Sequence, residues 1–401
     1  MSATIGSEPP LSETQRLVQR NIRGICEDFD REYWRTRSVE HEYPHEFVDE
    51  LVDGGWLGVR IPPEYGGEGM GTPEVTVMME EIAAGGAGFS GAQAIHGAIY
   101  NSVPLVNYGS EELKEELLPK VANGEVSIQA FCLTEPNAGS DSTSIETTAE
   151  KDGDEWVITG QKIWTSRVNV SDYAVVIART TPLSDVEKPT RGISMFLVDL
   201  EEAVSAGTLD YESIPKSASD MVKSYEMWFD GVRVPDTALV GEKGNGFYQV
   251  LDGLNEERTV VAAEALGLGE LAIERGVEYA GSREVFDRPI GKNQAIQHPL
   301  AAAHARLEAA KALTYQTADR VEGGDAKAVG ARANMAKYLA AEACYEAADA
   351  AVQTHGGFGI ATEYDVERYF REARLTRLVP ITQELILNYV GEQVLGLPKS
   401  Y

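Results

Sequence analysis

Apolar positions in the first third of the chain recur at helical spacing. Ser12 and Gln15 read as a capping box, after which Leu17, Val18, Ile22, Ile25 and Phe29 fall on one helix face. Pro44 is expected to open a second helix through Phe47, Leu51 and Val52, which Gly54-Gly55 stops. Positions 75–84 and 111–121 carry the same period. From about residue 126 the pattern changes. Trp156, Ile158, Ile163 and Trp164 lie in β-rich stretches behind an Asp152-Gly153 hairpin turn, and 173–178, 193–198 and 227–229 are strand-like too. Beyond Pro235 the helical period returns, and the Ala-, Glu- and Leu-rich segments 246–276, 293–322, 325–354 and 379–390 predict a bundle. The expected architecture is an α+β multidomain chain. It has an N-terminal helical domain (1–125), a small β-barrel or sandwich domain (126–235) and a C-terminal four-helix bundle (236–401).

Composition narrows the function classes. The 401 residues are 43% hydrophobic and 25% charged, a globular balance with ample core. With 35 Lys+Arg against 64 Asp+Glu the net charge is −29, and no basic cluster exists to neutralise phosphates. Nucleic acid and anionic membrane surfaces are therefore excluded as partners. The carboxylates spread over the whole chain rather than forming a tail, which favours a protein adapted to a salty cytosol. The opening stretch MSATIGSEPPLSETQ has neither a basic nor an apolar segment of a leader, and no run of about 18 apolar residues spans a bilayer. Cys26, Cys132 and Cys344 are few, odd in number and far apart, which suits a reducing cytoplasm and offers no metal knuckle.

Two literal motif matches fail on context. His41-Glu42-Tyr43-Pro44-His45 fits H-E-x-x-H, but that chemistry needs both histidines on one continuous helix, and Pro44 breaks it. Gly86-Ala87-Gly88-Phe89-Ser90-Gly91 fits G-x-G-x-x-G but follows a helix rather than a strand, so it reads as a flexible connection. Zinc and dinucleotide-fingerprint chemistry are not expected from either.

Phe131 to Asp141, FCLTEPNAGSD, is more informative, with hydroxyls at 134 and 140 on a loop fixed by Pro and Gly. About 25 residues on comes Gly160-Gln161-Lys162-Ile163-Trp164-Thr165-Ser166, an aromatic flanked by hydroxyls at a strand end. Together they suit a flat heteroaromatic ring, unless they are two ordinary hairpin loops.

At these residues the chain resembles the acyl-CoA dehydrogenase family. The stretches 134–141 and 160–164 resemble its two flavin loops. Ile61 to Gly67 (IPPEYGG), Gly244 to Phe247 (GNGF), Arg283 to Phe286 (REVF), Gln294 to His298 (QAIQH) and Gln353 to Gly359 (QTHGGFG) match in order and spacing, nearly end to end. The resemblance implies FAD, a homotetramer, an acyl-CoA substrate and an electron-transfer flavoprotein as acceptor. By position, Thr134 and Ser166 would hydrogen-bond the flavin ring, Trp164 would pack on it, and Ser140 would lie near the pyrophosphate. Arg283, Phe286, Gln294, Gln353 and Gly357 would reach the FAD of a neighbouring subunit, and Thr382 would close the site. Arg167 stands where Asn is usual, without an evident reason.

α,β-Dehydrogenation needs a carboxylate at the thioester α-carbon and donors to its carbonyl oxygen. The family's usual Glu in a C-terminal Y-E-G-T motif is replaced here by Val379-Pro380-Ile381-Thr382. The isovaleryl- and long-chain-type members carry the base before a helical Arg instead, which assigns it to Glu257 beside Arg258. Glu256 projects about 100° away and is not expected to share the role. Pro380 occupies the position whose N–H helps bind the thioester oxygen, and proline has none, so the amide of Ile381 is the expected substitute. Ser90 stands where glutaryl-type enzymes carry an Arg, which argues against a dicarboxyl-CoA. Ala92, Ala94, Ile95 and Val261 suggest an apolar acyl pocket, with His96 at the position of a pocket-floor Glu and Arg258 and Ser140 toward CoA. An aliphatic acyl-CoA, straight or branched, fits best. Its rivals are a desulfinase, reductase or oxidase on the same flavin site, or a flavin-binding structural protein without turnover.

Overall fold

The computed structural model describes residues 10–400; the first nine residues, which bear on the leader expectation, lie outside that range. Helices α1 (Glu13–Glu27), α2 (Arg31–Glu40), α3 (His45–Asp53), α4 (Thr72–Ile82), α5 (Gly88–Tyr100), α6 (Val103–Tyr108) and α7 (Glu111–Ala122) come first. The capping box at α1 forms as expected: the Gln15 amide donates to Ser12 Oγ (3.1 Å) and Gln15 returns an acceptor to the Ser12 amide (2.7 Å). Helix α2 was not expected, because its Arg- and Glu-rich sequence carries little apolar stripe; it is held by Trp34, buried against Phe47 and Phe29. His41 ends α2 in the left-handed region and Pro44 caps α3, so His41 and His45 belong to different helices. The glycine-rich stretch is not a flexible connection. It is a π-turn (Ala83–Ala87) joining α4 to α5, with the buried Gly86 at φ 115° packed against the Trp34 ring.

The middle of the chain forms an eight-stranded sheet from β1 (Ala130–Cys132), β2 (Thr148–Asp152), β3 (Glu155–Ser166), β4 (Tyr173–Arg179), β5 (Ile193–Asp199), β6 (Leu209–Ser213), β7 (Ser224–Pro235) and β8 (Leu239–Val240), with the short helix α8 (Leu200–Ser205) after β5. The order is β6-β7-β3-β2-β4-β5-β8, and β1 runs parallel to β4. Asp152 pairs with Glu155, so the hairpin turn is Gly153-Asp154, one residue beyond the expected dipeptide. The β3–β7 ladder slips between Lys162 and Thr165, which leaves Trp164 unpaired with β7 at φ 63°.

The last third contains α9 (Gly246–Ser282), a hairpin of β9 (Glu284–Val285) and β10 (Arg288–Pro289), α10 (Gln294–Val321), α11 (Ala326–His355), α12 (Val366–Thr376) and α13 (Gln383–Tyr389). Three of the four expected bundle helices appear, but the fourth is α12, not 379–390, of which only α13 is α-helical. The expectation missed α12, whose inward face carries the buried pair Arg368–Glu372 among Val366, Tyr369 and Ala373. Alanine and glycine let the long helices approach closely. At Gly267 a Cβ would lie 2.3 Å from the carbonyl oxygen of Glu80, so α4 crosses α9 only because that position is bare. No helix among the described residues is long and apolar enough to cross a membrane.

Candidate active site

The two loops singled out from sequence are stitched together by a buried ion pair. Lys162 Nζ lies 2.7 Å from Glu135 Oε1 and 3.1 Å from the carbonyl oxygen of Leu133. Glu135 also accepts from the amides of Glu146 (2.6 Å) and Thr147 (3.0 Å), and the Ile163 amide donates to the carbonyl of Thr134 (2.9 Å). Burial raises the Glu135 carboxyl, but the Lys162 charge and these donors outweigh it and leave it below the usual carboxylate range. For Lys162 the balance goes the other way: burial outweighs Glu135 and its ammonium sits below the usual lysine range. The pair therefore sets the loop geometry more than it adds net stability.

On this frame Trp164 presents an indole 54% exposed in a left-handed conformation, which is unfavourable for so large a side chain. The half-buried Thr134 and Ser166 flank it, with Ser166 Oγ 3.1 Å from Ser224 Oγ, and Ser140 is exposed on the first loop. A bare, strained aromatic between two hydroxyls fits a flat ring with polar edges.

The strand end reaches α5 through Arg167, the residue without an evident role in the sequence. It is buried with φ 65°, and its Nη1 donates to the carbonyl of Gln93 (2.7 Å) while Nε reaches that of Gln129 (3.3 Å). On α5, His96 Nδ1 is 2.7 Å from Glu264 Oε1 and Nε2 is 3.7 Å from Glu257 Oε1, both on α9. Gln93 Nε2 donates to the other oxygen of Glu264 (2.6 Å). Burial lowers the His96 imidazole, but the Glu264 charge and the two carboxylate contacts outweigh it and push it up to about 9. His96 is thus cationic at neutral pH.

The adjacent glutamates differ sharply. Glu256 is tied to Arg60 at 2.5 Å, whose other nitrogen reaches Glu322. Glu257 is 29% exposed and faces His96. Arg258 Nη1 contacts Asn255 Oδ1 (3.3 Å). Lys337 on α11, in an alanine-rich buried helix face, donates to the carbonyl of Ile381 (2.8 Å); burial and the nearby Arg258 push its ammonium down to about 7. So Glu257, Arg258, the 379–382 segment and the 164–167 strand end converge on one region.

The residues expected at a neighbouring subunit's FAD lie away from it. Arg283 ends α9, about 39 Å along the helix from Glu257 at about 1.5 Å per residue. Its guanidinium lies over the Phe358 ring at 5.9 Å. Phe286, at the tip of the β9–β10 hairpin, is 92% exposed with φ 53°; Gln294, Gln353 and Gly357 are exposed, while Thr382 is half-buried at the start of α13. Ala92, Ala94 and Ile95 are packed in the N-terminal core and Val261 in the bundle core. Ser90 is fully buried, its Oγ accepting from the Met221 amide and its own amide donating to Glu372.

Comparison with known proteins decides the family. Models of the acyl-CoA dehydrogenase N-terminal, middle and C-terminal domains match residues 12–125, 130–232 and 244–395. The acyl-CoA dehydrogenase FadE12 of Mycobacterium tuberculosis is 36% identical over 390 residues, covering 97% of this chain and 98% of its own length. This chain belongs to the acyl-CoA dehydrogenase family. The CarC subunit of the caffeyl-CoA reductase–Etf complex of Acetobacterium woodii is 34% identical over 375 residues, covering 91% and 94%. The butyryl-CoA dehydrogenase structure from Megasphaera elsdenii superimposes with a TM-score of 0.88 at 29% identity, covering 97% of this chain and all of that one. The protein is an oxidoreductase acting on acyl-CoA, and FAD is its cofactor.

Proposed function

We propose that this protein dehydrogenates an aliphatic acyl-CoA to the 2-enoyl-CoA, with Glu257 as the base that removes the α-proton. The observation that carries this is the contrast between neighbours: Glu256 is locked by Arg60, whereas Glu257 is partly open and faces the imidazolium of His96. The C-terminal segment, where the family's more common base stands, offers only Val379, Pro380, Ile381 and Thr382. A substrate thioester whose carbonyl oxygen accepts hydrogen bonds becomes acidic at its α-carbon, and a carboxylate at Glu257 then takes the proton. Lys337 fixes the carbonyl of Ile381, which supports the amide of Ile381 as the protein's donor in place of the N–H that Pro380 lacks.

FAD, when bound, supplies the acceptor for the hydride that leaves the β-carbon. Trp164, Thr134 and Ser166 would hold its ring, Ser140 its pyrophosphate side and Thr382 the site's far edge. Arg283, Phe286, Gln294, Gln353 and Gly357 would serve the FAD of a neighbouring subunit in a homotetramer. Their exposure and their distance from Glu257 within one chain support that assignment. Arg258 would face the anionic CoA, and an electron-transfer flavoprotein would be the acceptor, as the name of the Etf-associated relative suggests.

Anaerobic titration with a panel of saturated acyl-CoAs tests this: at least one should bleach the flavin. A second reading, a reductase acting on a 2-enoyl-CoA, is favoured by the reductase relative. It takes over if no saturated acyl-CoA bleaches the flavin and an enoyl-CoA reoxidises the chemically reduced protein.

A further inference from the structure

Glu257 and Glu264 are seven residues apart on α9, two turns along one face, and both point at α5. Glu264 has no solvent exposure and Glu257 is mostly covered, with Glu256 one residue away. One imidazole lies between them. His96 is fixed at Nδ1 by Glu264 at 2.7 Å, its ring stacks on Tyr100 at 5.0 Å, and its Nε2 faces Glu257 at 3.7 Å. Glu264 is fixed in turn by Gln93, and the backbone of Gln93 by Arg167, which enters from the end of β3.

We propose that His96 is a positioning residue for Glu257: clamped by Glu264, it presents an Nε2–H that orients the Glu257 carboxylate for proton abstraction. The proposal rests on the reading of Glu257 as base. His96 keeps its own proton throughout; the substrate's α-proton goes to Glu257 alone. At 3.7 Å the contact is an ion pair rather than a short hydrogen bond, so Glu257 stays free to accept that proton. The same arrangement accounts for two departures at once. A histidine at 96 needs the buried Glu264 to stay charged, and the arginine at 167 braces the Gln93 turn that holds Glu264 in place.

The charged and titratable groups facing His96 are Glu257 and Glu264 from α9 and Tyr100 from its own helix. Arg167 approaches from the strand end, and Arg60 and Glu256 lie beyond Tyr100. When His96 loses its proton near pH 9, Nε2 turns a lone pair toward Glu257 and repels the carboxylate it held.

The test follows flavin bleaching by rapid anaerobic mixing across pH, in wild type, His96→Gln and Glu257→Gln, with the histidine titrations read by NMR of 13C-histidine-labelled holoenzyme. Wild type should lose bleaching rate as pH rises through about 9. His96→Gln should be at least about 10-fold slower at neutral pH, with KM little changed and the alkaline limb gone. If His96→Gln does not fold, Glu264→Gln serves, since it keeps the imidazole and removes its anchor; the His96 titration should then fall well below 9 and the alkaline limb should move with it. If His96→Gln bleaches at the wild-type rate with an unchanged pH profile while Glu257→Gln does not bleach, the proposal is wrong and the base assignment stands. Wild-type bleaching in Glu257→Gln overturns the base assignment itself.

Discussion

The Glu135–Lys162 pair gives the sharpest test of how the flavin loops are built. Lys162 has no exposed side-chain surface and Glu135 only 5%. Removing one partner leaves the other charge buried, which costs about 3–5 kcal/mol. In Lys162→Met the methionine fills much of the volume, but Glu135 keeps only the amides of Glu146 and Thr147. In Glu135→Gln the ammonium retains the carbonyl of Leu133 and loses its counter-charge. Removing both charges abolishes both penalties, and the carboxamide oxygen introduced by Glu135→Gln can still accept from an amide. The double variant should therefore lie within about 1–2 kcal/mol of wild type, giving a coupling energy of several kcal/mol. The assay is a four-protein comparison of FAD release, followed by flavin fluorescence on heating and in urea. Because Glu135 sits below its ordinary range, its share of stability is present at neutral pH and disappears as pH falls through that depressed value. Additive losses, with the double variant as weak as the sum of the singles, would show that the pair does not organise these loops as a unit.

Three further outcomes are expected. Phe286→Gly removes a large side chain from a left-handed turn, relieving about 1–2 kcal/mol of local strain, so the protomer should melt no lower while FAD retention and tetramer content by light scattering fall. Unchanged FAD and oligomeric state would deny Phe286 a role at a subunit contact. Cys26 and Cys132 are buried, with burial first and foremost pushing their thiols up to about 12 and about 11, and Cys344 shifts the same way; native protein should resist thiol reagents and react at all three only when unfolded. At a net charge of −29, dilution into low salt should promote FAD loss and dissociation, and identical behaviour from low to molar salt would count against adaptation to high salt.

What was legible in the sequence follows from what patterning can carry. The apolar faces of α1 and α9–α11 and the alternation in β3 and β7 are direct consequences of burial, so the helical–β–helical order could be read off. Helices α2 and α12 were missed because each buries polar or aromatic groups in specific partnerships: Trp34 in an aromatic cluster, Arg368 with Glu372. Spacing placed Glu257 beside Arg258, but the reason Glu256 differs is Arg60, nearly 200 residues away in sequence and invisible to local periodicity. His96, Glu264 and Arg167 were likewise unreadable as a group, because three distant segments bring them together. One signal was available and unused: Lys337 stands alone in an alanine-rich buried face, where a charged residue demands a partner. In a chain with 64 acidic residues no single glutamate advertises itself, and only its neighbours in space distinguish it.

The central claim is that Glu257 removes the α-proton, and the most direct measurement is anaerobic flavin bleaching in Glu257→Gln against wild type, using the acyl-CoA that bleaches wild type fastest. FAD should remain bound in full and substrate should still bind, with the bleaching rate reduced by a factor of about 10³ or more, as expected when a general base is replaced by a neutral isostere. Bleaching at the wild-type rate in that variant would contradict the claim.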